Sequence, residues 1–229
     1  MMLSLWPRAA DAACRQALAL GLDVSGSVDL REYRLQLDGL VAALNDPEVV
    51  KKLLAMPSAP ITLLVYEWSG PDDPTVLVPW TSITDRTALE KISVTLAQTE
   101  RRNASPGTAL GMAMQLGARF LDQQQTCWKR TLDISGDGKS NFGPRPRHVK
   151  DGIGARNITI NALVIGADAP ASGDQRQAEI SELSSYFNAE VIVGADAFVQ
   201  TALGFDAYAD AMTLKLKREL EGLVLGALQ

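Results

Sequence analysis

Asp23, Ser25 and Ser27 place a carboxylate and two hydroxyls at alternate positions directly after the apolar run "ALALGL", where a buried strand would reach water. Two further oxygen-bearing side chains stand in comparable settings: Thr108 in "SPGTALG" and Asp137 in "SGDG", which follows the apolar "TLDIS". Alternate side chains of an extended chain point the same way, so Asp23, Ser25 and Ser27 can converge while Val24 packs elsewhere. Two carboxylates and three hydroxyls, with no thiolate or imidazole, make a poor soft-metal site. They suit a hard divalent cation, Mg²⁺ first and Mn²⁺ or Ca²⁺ as alternatives, with water in the remaining positions. The competing reading is that these residues are helix caps and turn formers, for which Asp, Ser and Thr are ordinary choices. Ser27 before "VDLREY" and Thr108 before "ALGMAM" are well placed to cap. Capping leaves unexplained why Asp23 and Asp137 should meet at one edge with hydroxyls between them, and the metal reading is preferred.

The elements that would position these groups alternate between apolar runs and helical patterns, which argues for an α/β fold with a largely parallel, covered sheet. "ALALGLDV" reads as a buried strand, and "DLREYRLQLDGLVAALND" as a helix with Tyr33, Leu37, Leu40, Val41 and Leu44 on one face. "PITLLVYEWS" is a second strand; the turn-rich "GPDDP" then leads to "TVLVPW", short enough to be its antiparallel edge partner. A helix from Asp85, the loop "RNASPGT" and the helix "ALGMAMQLGARFLDQ" follow. The strand "CWKRTLDIS" comes next, then the loop "GDGKSNFGPRP" and a helix to about Arg156. The strand "ITINALVIG", a helix from Asp174 to Asn188, the strand "EVIVG" and a helix from about Phe205 to Leu225 complete the chain. In an open parallel sheet, ligands bind beyond the carboxyl ends of the strands, and all three oxygen-bearing loops belong on that edge.

The 229 residues, 46% of them hydrophobic, fit one large domain better than two. A net charge of −5 and the lack of any Lys/Arg stripe argue against nucleic acid as a partner. No stretch supplies the roughly 18 uninterrupted apolar residues of a membrane span. Small residues before Cys14 resemble a signal-peptidase site, although the apolar segment preceding them is short. Residues 1–14 are therefore set apart as an N-terminal segment, a remnant of an export signal, and 15–229 as a single domain.

"DVSGS", a later Thr at the start of a helix, and an Asp-Gly after a central strand together resemble the metal-ion-dependent adhesion site (MIDAS) of von Willebrand factor A (vWA) domains, from about Ala17 to Glu219. "VYEWSG", "VPWTSI", "GTALG" and "DISGDGKSN" are similar to a bacterial, mostly exported vWA-like subfamily of unknown function. The resemblance implies a doubly wound, Rossmann-like fold: a mostly parallel central sheet, one antiparallel edge strand and helices on both faces. It also implies that Asp23, Ser25, Ser27, Thr108 and Asp137 hold the ion, some through water, and that a protein or peptide partner supplies a carboxylate as the missing ligand. The function expected is a divalent-metal-dependent, adhesion-type binding module rather than an enzyme. The alternative is a metal-assisted hydrolase or phosphate-handling enzyme on the same site, for which no general base is evident. The strand order of the family makes the strands ending at Asp23 and Asp137 neighbours. Cys14 and Cys127 precede those residues by 23 − 14 = 9 and 137 − 127 = 10 positions, so they fall nearly level at the opposite ends. A disulfide between them fits that geometry and an oxidising compartment, which points to a periplasmic or secreted protein.

Four features stand outside this constellation. Asp133 interrupts a buried strand where the family usually has an apolar residue, and reads as a core carboxylate paired with a basic side chain. His148, the one histidine, reads as a helix-surface residue. Trp68 and Trp80 flank the hairpin and are candidates for a partner surface, although packing against a helix is commoner. The final helix reads as a core cover.

Overall fold

The computed structural model describes residues 14–71, 74–166 and 173–221. The N-terminal segment before Cys14 and the expected helix end at Leu225 lie outside the described residues. The elements run β1 (Cys14–Asp23), α1 (Leu30–Leu44), α2 (Pro47–Leu53), β2 (Ile61–Trp68), β3 (Thr75–Ile83), α3 (Arg86–Gln98), α4 (Leu110–Leu121) and β4 (Cys127–Gly136). They continue with α5 (Pro146–Gly154), β5 (Thr159–Ile165), α6 (Gly173–Glu190), β6 (Val199–Ala202) and α7 (Tyr208–Glu219). The strands form one sheet in the order β3-β2-β1-β4-β5-β6, parallel throughout except for the antiparallel β2–β3 pair at one edge. From β1 the chain winds outward to β2 and β3, then returns to the other flank of β1 and winds outward again through β4, β5 and β6. The direction of winding reverses between β1 and β4. An open sheet of this type takes ligands at such a switch point, beyond the carboxyl ends of the strands.

The period-two alternation of the strands divides the core into two layers. Leu18, Leu20 and Leu22 of β1 and Ile61, Leu63 and Val65 of β2 pack beneath α1, α2, α3 and α7. Ala17 and Ala19, with Tyr66, Leu132, Ile134 and Val164, pack beneath α4, α5 and α6. Close approach between α1 and α7 depends on Gly39, where an added Cβ would lie 2.7 Å from the Tyr208 ring. On the α7 side, Lys215, with no exposed side-chain surface, reaches Asp133 of β4 at 2.6 Å and Glu219 at 2.8 Å. Asn161 of β5 donates to the same Glu219 carboxylate at 2.6 Å. Asp133 is thus the core carboxylate with a basic partner that the sequence suggested.

Two elements differ from the sequence reading. The expected strand "EVIVG" is the end of α6 followed by a single antiparallel bridge between Val193 and Ile160. The sixth strand is instead Val199–Ala202, whose residues pair with 162–165 of β5. Val191 to Val193 carry the apolar signal because they plug the core beside α6, whereas "VQTA" is a half-exposed edge with little alternation to read. The second difference is α2, for which the sequence reading has no element between "ALND" and the second strand. Asp46 caps it by accepting from the backbone N–H groups of Glu48 and Val49, with Pro47 in its first turn, the arrangement expected of a new helix start.

Cys14 and Cys127 face each other across the β1–β4 ladder and are joined by a disulfide, with their α-carbons 4.4 Å apart. Among the described residues no helix is long and apolar enough to cross a membrane.

Candidate metal centre

The five oxygen-bearing side chains come together at the carboxyl edge of β1 and β4. Asp23 is the last residue of β1, and Ser25 and Ser27 lie on the turn that follows. The Ser25 N–H donates to Asp23 Oδ1 at 2.9 Å, folding the turn back over the strand end. The Ser27 hydroxyl donates to Asp137 Oδ1 at 2.8 Å, which links the first loop to the one after β4. Ser25 Oγ lies 3.3 Å from both Ser27 Oγ and Thr108 Oγ1, so the three hydroxyls form a chain that ends on Asp137.

The capping alternative can be tested directly. Helix α1 is capped by Asp29, not Ser27, in a reciprocal capping box with Glu32. Helix α4 starts after Ala109 with no side-chain cap, although Thr108 stands next to it. Both hydroxyls are thereby left free to turn toward the carboxylates.

Electrostatics make the cluster costly without a cation. Asp23 is 1% exposed, and its Oδ2 is buried with no hydrogen-bond partner among the described residues. Burial, then the charge of Asp137, pushes the Asp23 carboxyl up to about 7. Burial also raises Asp137 above the ordinary carboxylate range. Neither has an ion-pair partner among the described residues. A buried carboxylate oxygen without a donor is expensive, and a hard divalent cation is a chemically suitable group to satisfy it. The oxygen-only donor set, with an orphaned carboxylate oxygen at its centre, fits such an ion. No group of three or more His, Cys, Asp or Glu that could hold a metal gathers anywhere among the described residues, so this centre rests on two carboxylates completed by hydroxyls.

The supports of the cluster were not legible in the sequence. Gln36 of α1 donates to the Asp23 carbonyl at 3.0 Å. Asn141 holds Thr108 on both sides: its Oδ1 accepts from the Thr108 N–H at 2.8 Å, and its own N–H donates to the Thr108 carbonyl at 3.0 Å. Arg101 donates to the Val28 carbonyl at 2.7 Å and the Val24 carbonyl at 3.4 Å, binding the loop before α4 to the turn after β1. Beneath it, buried Glu67 accepts from the Tyr33 hydroxyl and pairs with Arg102 at 3.4 Å. Gly111 allows the loop after β4 to lie against α4, since an added Cβ there would be 2.1 Å from the Pro144 carbonyl oxygen.

The structure corrects the partner-surface reading of Trp68. Trp68 is 2% exposed and opposes Asp23 in the β1–β2 register, so it lies beneath the site rather than on a partner surface. Trp80 packs half-buried against the α4 side of the core. Trp68 was drawn inward because it sits on the strand face that α4 covers. His148 lies on the exposed side of α5, as its sequence context suggested.

A family model described as protein of unknown function (DUF1194) matches residues 13–224. The chain belongs to this family. A search of curated proteins finds no match. Among solved structures, the DUF1194 chain is similar to proximal thread matrix protein 1 from the mussel byssus with a zinc-occupied MIDAS motif. That match has a TM-score of 0.61 at 15% identity and covers 92% of this chain and 47% of the other. It is also similar to the open conformation of the pilus adhesin SpaC from Lactobacillus rhamnosus GG, with a TM-score of 0.64 at 12% identity, covering 93% and 31%. A third is a von Willebrand factor type A protein from Catenulispora acidiphila, at TM-score 0.55 and 16% identity, covering 90% and 43%. The DUF1194 chain therefore has the vWA fold, and it spans about half or less of the length of these three proteins.

Proposed function

We propose that this chain is a divalent-metal-dependent binding module of the adhesion type, in which Asp23, Ser25, Ser27, Thr108 and Asp137 hold Mg²⁺, or Mn²⁺ or Ca²⁺ in its place. The observation that carries this reading is the buried, unpartnered Oδ2 of Asp23 at the switch point of the sheet. The bound ion would supply a hard electrophilic centre with a position open to a carboxylate of a protein or peptide partner. The chain's own contribution is to preorganise the oxygens. Asp23 and Asp137 provide the charge, the three hydroxyls provide neutral donors, and Asn141 and Arg101 fix the loops that carry them. Two carboxylates against a divalent ion leave no excess negative charge at the cluster, so the open position can still take an anionic group. The alternative, a metal-assisted hydrolase, needs a general base beside the ion. The side chains hydrogen-bonded to the two aspartates are serine hydroxyls, and the neighbouring support is the Asn141 amide, none of them a base at neutral pH. The disulfide suits an oxidising, extracytoplasmic location, periplasmic or secreted.

Calorimetric titration of chelator-treated protein with Mg²⁺ and Mn²⁺ tests the site. Wild type is expected to bind one ion, and Asp23→Ala to lose at least ~100-fold in affinity, because even supporting residues of metal sites are worth 10–100-fold. Its far-UV circular dichroism should be unchanged. Equal affinity in wild type and Asp23→Ala removes Asp23 from the ligand set.

A further inference from the structure

Seven large apolar side chains are exposed among the described residues. Single exposed apolar residues are ordinary on a protein surface, but three of these, Leu30, Phe142 and Leu203, stand on or beside loops at the carboxyl edge of the sheet. Two of the three adjoin the candidate metal centre directly. Leu30, 70% exposed, opens α1 three residues after Ser27. Phe142, 56% exposed, follows Asn141, and its N–H donates to the Thr108 carbonyl at 3.3 Å. Leu30 opens α1, which covers one face of the sheet, and the loop carrying Phe142 is hydrogen-bonded to Thr108 beside α4, which covers the other.

The Leu30 side also has a groove. A cavity of about 450 Å³ is lined by Leu30, Tyr33, Arg34, Thr99, Glu100 and Arg101, within the size range of ligand pockets. Arg101 forms its wall while gripping the carbonyls of Val24 and Val28, so the groove and the metal-bearing turn share one rigid partition. Of its two guanidiniums, Arg34 is paired with Asp38 at 3.0 Å. The other, Arg101, stands on the wall shared with the metal-bearing turn, where it complements the acidic end of a partner.

Taking the metal-dependent reading above as its basis, we infer that the site accepts an exposed acidic segment of a protein in which a large apolar side chain lies within a few residues of the Asp or Glu. The carboxylate occupies the ion's open position. The apolar side chain enters the groove beside Leu30, and Phe142 closes against the segment from the Thr108 side. A central anchor in a pocket, ringed by contacts that exclude water, is where binding energy concentrates in such interfaces.

A random-peptide display library selected on the immobilised, disulfide-intact protein with Mg²⁺, and eluted with chelator, tests this. The expected pool is enriched in Asp or Glu together with Leu, Ile, Phe or Trp at a fixed neighbouring offset. A peptide from that pool should bind Leu30→Ser at least ~10-fold more weakly than wild type, and Phe142→Ser more weakly as well. Both variants should bind Mg²⁺ with wild-type affinity by calorimetry and melt at the wild-type temperature, since both side chains are already in water. Enrichment for acidic residues with no apolar companion, or undiminished binding to Leu30→Ser, overturns the groove assignment while leaving the metal site standing. Absence of Mg²⁺ binding in wild type overturns both.

Discussion

Lys215→Met is the sharpest probe of how α7 is held. The substitution keeps most of the side-chain volume and removes the ammonium that lies 2.6 Å from Asp133 and 2.8 Å from Glu219, all three groups being essentially inaccessible to water. In the wild type, burial opposes the charge on Lys215, yet the two carboxylates hold its pKa above the ordinary lysine value. Without it, two carboxylates remain in the core, and only Glu219 keeps a donor, the Asn161 amide. Removing one partner of a buried ion pair costs about 3–5 kcal/mol, because the charge left behind is uncompensated. For a chain of this size that corresponds to a fall in melting temperature of roughly 6–20 °C. Urea denaturation followed by far-UV circular dichroism, with the disulfide intact, measures the loss. The triple variant Asp133→Asn, Lys215→Met, Glu219→Gln is the control: it removes the charges together and should recover most of the stability, since replacing a whole buried ionic group by neutral residues is often nearly neutral. A Lys215→Met protein within 1 kcal/mol of wild type, or a triple variant as unstable as the single one, would refute the claim that the ammonium compensates those carboxylates.

The other predictions concern the strand ends. The disulfide closes a loop with a sequence separation of 113, and the chain-entropy relation gives about 5 kcal/mol for a loop of that length; reduction should lower the urea midpoint, and thiol counting in denaturant should find no free cysteine before reduction. At the opposite end, the carboxyl of Asp23 is raised to about 7 by burial and by Asp137. A carboxyl raised in the folded state contributes stability at low pH that is lost as pH rises through that value. In chelator, wild type should therefore lose up to about 3 kcal/mol between pH 5 and pH 8 relative to Asp23→Asn. Saturating Mg²⁺ should abolish that difference by replacing the proton with the ion; parallel pH profiles for the two proteins in chelator contradict the assignment.

The alternating apolar and amphipathic segments of this sequence were sufficient for the doubly wound sheet, because burial on both faces demands continuous apolar strands and its covering helices demand a 3.6-residue stripe. That the D-x-S-x-S turn, Thr108 and Asp137 share one edge followed from the same alternation, because the loops after parallel strands gather at their carboxyl ends. Val199–Ala202 was not legible: an edge strand with one buried apolar residue owes its existence to the hydrogen-bond ladder offered by β5, a partner 37 positions earlier. Trp68 likewise could not be assigned to a surface or a core until α4 was placed over it.

What the sequence determined by itself is local: residue type, period and the order of loops, each set by the chemistry of neighbours along the chain. Only the folded molecule decided that Ser27 and Thr108 do not cap the helices beside them, that Asp133 meets its ammonium from α7, that Arg101 ties the loop before α4 to the turn after β1, and that Leu30 opens onto a groove. Those facts depend on distances between segments tens to more than a hundred residues apart, fixed by packing and by the need to satisfy buried polar atoms, and no pattern confined to one stretch of chain encodes them.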